Sequence, residues 1–79
     1  MDKAILKFID DNVEMLEAYL TATNDSLTEN IEKDESEGIL RNIAQINYYR
    51  GKIDGLSQVG DLIRAFSTVE EKENAQNLN

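Results

Sequence analysis

Three observations on this chain of 79 residues predict an all-α fold, an antiparallel two-helix hairpin that oligomerises. Apolar residues recur every three or four positions in two separate series, which is the spacing of one helix face and not the alternation of a strand. No proline interrupts either series, and proline is the residue that most firmly stops a helix. Only a short acidic stretch lies between them, and a loop that short returns the second helix antiparallel to the first. The expected assembly is a four-helix bundle or a larger helical oligomer.

Helix one, expected over about 3–33, carries Leu6, Ile9, Val13, Leu16 and Leu20 on one face. Its phase continues through Thr23 and Leu27 and drifts by one residue to Ile31. The helix is therefore expected to cross Thr21-Ala22-Thr23-Asn24-Asp25 despite its poor helix formers. Ser26 followed by Glu29 has the spacing of a capping box, which leaves open a break near Asn24.

Something must reset the phase before the second series. Lys33-Asp34-Glu35-Ser36-Glu37-Gly38 is the polar stretch suited to it, so the turn is expected over about 33–38. Asp34 or Ser36 can serve as N-cap, and acids in a first turn suit the helix dipole. Helix two, expected over about 36–69, carries Ile39, Ile46, Tyr49, Ile53, Leu56, Gly60 and Ile63. Residues 1–70 then make one hairpin domain, and 71–79, which lose the periodicity, read as a polar tail.

Folding one helix onto the other brings the two faces together at a constant sum of residue numbers, 69. Leu6 then faces Ile63, Val13 faces Leu56, Leu16 faces Ile53, Leu20 faces Tyr49 and Thr23 faces Ile46. Ile9 falls opposite Gly60, where a small residue permits close approach.

A second stripe lies to one side of that contact. Helix one contributes Ile5, Phe8, Asn12, Met15 and Tyr19, and helix two answers with Tyr48, Gly55, Val59, Leu62, Phe66 and Val69. Monomers rarely leave so wide an apolar surface wet. Ile5, Phe8, Met15, Tyr19, Tyr48, Gly55, Val59, Leu62, Phe66 and Val69 are therefore the expected interface of a homo-oligomer. The opposite side carries Asp10 and Glu17 against Arg50 and Arg64, opposite signs that can pair across the hairpin and read as a solvent face. Exposed pairs of this kind contribute about 0.2–1 kcal/mol each. Burying one large apolar side chain contributes about 1.5–3 kcal/mol, so the apolar stripe dominates.

Lys and Arg number 8 against 16 Asp and Glu, a net charge of -8, and the excess is unevenly placed. Residues 1–37 hold 11 acids and 3 bases, whereas 38–79 hold 5 of each. Asp25, Glu29, Glu32, Asp34, Glu35 and Glu37 cluster at the loop end, a candidate tip for a basic partner or a solubilising feature. Basic residues are too few and scattered for direct nucleic-acid binding.

With no Cys and no His, neither disulfides nor the usual zinc sets can form, and the commonest nucleophiles and general bases are missing. The acidic cluster lacks the alternation and central glycine of a calcium loop and the Glu-x-x-His of di-iron bundles. No catalytic, cofactor-binding or metal residues are expected, and no cofactor. The longest apolar runs are two or three residues, so no membrane span or signal-peptide core is expected and the product reads as soluble. Oligomerisation is the staple that remains for so small a core.

Arg50-Gly51-Lys52-Ile53-Asp54-Gly55-Leu56, preceded by one amphipathic helix and a short acidic turn, resembles the R-G-x-I-x-x-L stretch of small tailed-phage proteins predicted as helical hairpins. The resemblance spans roughly Leu16 to Ile63, and Tyr48-Tyr49 falls outside its pattern. It implies a phage origin, an accessory role and a place in the host cytoplasm or the virion, and it assigns no site. The expected function is a non-enzymatic oligomerisation or adaptor module for assembly, with a phage or host protein as possible partner. An acidic inhibitor that occupies the basic groove of a host protein is the alternative, and a carboxylate-dependent enzyme comes last.

Overall fold

The computed structural model describes residues 2–77, with the side chains of residues 3–69. Two helices, α1 (Asp2–Glu32) and α2 (Ser36–Asn77), fold back on each other as an all-helical hairpin. The result is a rod of 68 × 15 × 14 Å. It is one layer thick, so each helix has one neighbour and one contact line to bury.

That contact line keeps a strict alternation of three and four. On α1 it runs through Leu6, Ile9, Val13, Leu16, Leu20, Thr23, Leu27 and Asn30, all buried or half-buried. On α2 it runs through Ile39, Asn42, Ile46, Tyr49, Ile53, Leu56, Gly60, Ile63 and Ser67. A Cβ built on Gly60 would lie 3.6 Å from Ile9 Cγ2, so these two positions face each other. Tyr19 and Tyr49 approach with ring centroids 5.8 Å apart.

The expected drift to Ile31 does not occur. Ile31 is 57% exposed, and Asn30 occupies the inward position instead. Across the contact, Asn30 Nδ2 donates to Asn42 Oδ1 at 2.7 Å, and Asn42 Nδ2 donates to Ser26 Oγ and Gln45 Oε1 at 3.4 Å each. Apolar spacing missed this layer because both of its inward residues are polar. A polar residue turns inward at tolerable cost when its partner meets it there.

The stretch from Thr21 to Asp25 is continuous helix, with no break at Asn24. Hydroxyls explain how its poor formers are accommodated. Thr23 Oγ1 donates to the Tyr19 carbonyl at 2.8 Å, while Thr21 and Thr28 bond the Glu17 and Asn24 carbonyls at 3.1 Å. Each side chain satisfies itself on its own helix, one turn back.

The reversal occupies three residues. Glu35 N donates to the Asn30 carbonyl at 3.0 Å and Asp34 N to the Ile31 carbonyl at 3.1 Å. This pair of bonds is the Schellman motif, with its left-handed residue at Asp34, φ 57°. Glycine is the usual occupant there, and aspartate is among the few other residues that tolerate it. Neither expected N-cap serves α2, since Asp34 belongs to the end of α1 and Ser36 is already helical. The first α2 bond runs from Ile39 N to the Glu35 carbonyl at 3.0 Å, which makes Glu35 the cap residue.

Helix α2 also continues past Val69 to Asn77, where a polar tail was expected to depart from the helix. The segment from Glu70 to Asn77 contains neither glycine nor proline, so nothing in it stops a helix already nucleated upstream. Residues 78 and 79 lie outside the described residues.

Candidate interaction surface

The hairpin buries few apolar side chains. Ile9, Leu16 and Ile46 are the buried hydrophobic residues among those described, and no large side chain is fully enclosed. A much larger apolar surface faces outward on one flank. Ile5, Phe8, Met15, Tyr19, Tyr48, Val59, Leu62, Phe66 and Val69 are all exposed there, Phe8 by 65% and Phe66 by 67%. Taken together they expose the equivalent of nearly five complete residues. At roughly 200 Å² for each, that amounts to about 1,000 Å² of surface, most of it apolar.

The helical period places all of them together. With the contact line as reference, Ile5 and Tyr19 share a row with Asn12, and Phe8 with Met15. On α2, Val59 and Phe66 share a row with Lys52, and Tyr48, Leu62 and Val69 with Gly55. Antiparallel packing brings those rows to the same flank of the hairpin. Tyr49 links them to the interior, its ring tilted against that of Tyr19 and edge-on to that of Tyr48, 5.7 Å away. Lys52 Nζ sits 4.8 Å over the Tyr48 ring, a cation–π contact within the apolar face.

The face is not flat. An open groove lined by Phe8, Asn12, Met15, Leu16, Lys52 and Leu56 crosses its middle. Gly55 is exposed on this face, and a Cβ there would meet nothing within 4 Å. Asn12 keeps its amide turned to its own helix, donating to the Phe8 carbonyl at 2.7 Å.

On the opposite flank, Arg64 Nη2 donates to Asp10 Oδ1 at 3.1 Å and Arg64 Nη1 lies 3.5 Å from Asp61 Oδ1. No ion pair joins Glu17 to Arg50 among the described residues. Nor is this flank purely a solvent face. Ile31, Leu40 and Ile43 are exposed on it near the loop, Leu40 by 69%. Sequence reading passed over Leu40 and Ile43 because they belong to neither apolar series. Their position one row off the contact line was the available signal.

All six candidate tip carboxylates, Asp25, Glu29, Glu32, Asp34, Glu35 and Glu37, are exposed. Glu29 accepts a 2.8 Å bond from Lys33, which holds its carboxyl below the ordinary range and the Lys33 amine above its own. Lys7 is raised in the same way, by a hydrogen bond and charge attraction to Asp11 at 2.8 Å. Among the described residues no cluster of three or more acidic side chains is arranged to hold a metal ion. No described helix is long and apolar enough to cross a membrane. The chain matches no protein family, no curated protein and no solved structure.

Proposed function

We propose that this protein is a non-enzymatic, phage-type accessory module that associates with copies of itself through the apolar flank and serves assembly or protein–protein contact. One observation carries the reading, the imbalance between a thin interior and a broad apolar exterior. Three buried hydrophobic residues among those described are little for a chain that must offset its conformational entropy without a disulfide. The exposed flank, about 1,000 Å², is comparable with the ~800 Å² per partner of a stable protein–protein interface. Covering it with a like surface supplies the missing burial at both copies at once.

Light scattering coupled to size exclusion tests the proposal at tens of micromolar protein. A mass of two or more chains is expected for the parent protein. A variant combining Leu62→Asp and Phe66→Asp should run as a monomer and lose thermal stability, because its folding no longer draws on association. A monomeric parent whose variant melts at the same temperature overturns the reading.

A further inference from the structure

If the apolar flank meets its own copy about a two-fold axis, two face-to-face arrangements cover all of it. In one, the hairpins run parallel and α1 lies over the partner's α2. In the other they run antiparallel, with α1 over α1 and α2 over α2. Shape and charge on the flank distinguish them.

Large and small residues alternate along α2 in a self-complementary way. Leu62, Phe66 and Val69 protrude toward the chain termini, while Gly55 leaves open space toward the loop. An antiparallel α2 pair whose residue numbers sum to 117 sets Leu62 over Gly55. The same register sets Val69 over Tyr48. Carried to α1 through the hairpin, it brings Phe8 near the partner's Asn12, beside the groove that Asn12 and Met15 line. Projections then meet recesses on both helices, as close packing requires. A parallel pair places the end that carries Ile5, Phe8, Leu62 and Phe66 against its own copy and the Asn12 and Gly55 layer against its own, which crowds the end near the termini and leaves a gap at the middle.

Charge points the same way. The half of the hairpin near the loop carries Asp25, Glu29, Glu32, Asp34, Glu35 and Glu37 against Lys33 and Arg41. Parallel hairpins hold two such net-acidic ends side by side, which charge repulsion opposes. In the antiparallel register α1 of the partner ends before it reaches Asp25, so the acidic loop ends stand clear at opposite ends of the assembly.

We infer that the partner on the apolar flank is a second copy of this chain docked antiparallel, with Leu62 of each copy seated over Gly55 of the other. The inference rests on the self-association proposed above. It adds that each dimer presents two loop ends facing away from each other, a geometry suited to bridging two partners.

The absence of cysteine makes the test direct, since each introduced thiol is unique. Val59 lies beside the inferred axis, so a Val59→Cys dimer should close a disulfide with itself under mild oxidation. In the parallel arrangement it faces α1 of the partner and stays reduced, while an equimolar mixture of Val59→Cys with Asn12→Cys chains cross-links instead. A spin label on Thr28→Cys, an exposed position off the flank, supplies a distance. It stands 17 or 18 residues from the axis, giving a separation of about 50 Å at 1.5 Å per residue. Parallel hairpins, with helices 8–10 Å apart, hold the two labels within about 25 Å. Gly55→Leu adds a third readout, because the free hairpin has room for the side chain and the inferred dimer does not. Its dimer dissociation constant should rise at least tenfold while the helical signal is kept. A dimer with the short label distance and no Val59 self-linkage overturns the orientation and leaves self-association standing, whereas a monomeric parent overturns both.

Discussion

Replacing Asn42 by alanine probes the polar layer that no apolar pattern announced. Asn42 is 6% exposed and accepts the 2.7 Å bond from Asn30 Nδ2. Loss of that bond costs about 1 kcal/mol net, and a stranded buried amide adds about 1–3 kcal/mol. Asn30 is only half-buried, so the lower end of that range applies and the expected destabilisation is about 2 kcal/mol. For a chain of this size that is a fall of about 10 °C in Tm. Urea denaturation followed by far-UV circular dichroism measures it, at one fixed protein concentration because association contributes to stability. Removing both partners should act in the opposite sense. The pair Asn30→Leu with Asn42→Leu trades a hydrogen bond for apolar burial of about 1.5–3 kcal/mol per side chain and should match or exceed the parent. Its cost should appear as a less unique register, seen as weaker amide protection along the contact line. An Asn42→Ala change within about 0.5 kcal/mol of the parent, or a double leucine variant weaker than the single alanine one, would refute the reasoning.

Gly38→Ala should destabilise the hairpin by about 1 kcal/mol although alanine is the better helix former. The added Cβ would lie 2.6 Å from Asn30 Nδ2 and force that side chain off Asn42; a melt above that of the parent contradicts this. Asp34→Gly should stabilise by about 0.5–1 kcal/mol, since glycine takes a left-handed backbone without steric penalty, and a lower Tm would count against the strain at φ 57°. The pair of Glu29 and Lys33 contributes on a plateau bounded by its two titrations. Glu29 is lowered from 4.5, so its contribution is present above that value and lost as pH falls through the folded pKa. Lys33 is raised from 10.5, so its contribution is present below that value and lost as pH rises through the folded pKa. Glu29→Gln should therefore leave Tm almost unchanged at pH 7, where an exposed pair contributes little, and reduce the decline below pH 4.5 at low salt. Parallel declines for variant and parent would show that the pair carries none of it.

The amino-acid order alone determined that the chain is two helices, because period and the absence of proline are local properties that each segment expresses without its neighbour. It determined the pairing register as well. A short reversal leaves few ways to lay one apolar face on the other, and Ile9 against Gly60 follows from that constraint. What hydrophobic spacing had no means to register was the inward turn of Asn30 and Asn42, since each amide is tolerable there only with the other opposite it. The cap shows the same limit. Asp34 and Ser36 have the side chains that cap helices, yet the backbone path that closes α1 through a left-handed Asp34 passes that position to Glu35. The exposed Leu40 and Ile43 likewise gained meaning only when α2 was set against α1 and one row of its surface became a flank. Local sequence decides which helices form, whereas the identity of a cap, a buried amide or an open apolar face depends on what the other helix brings to the same place.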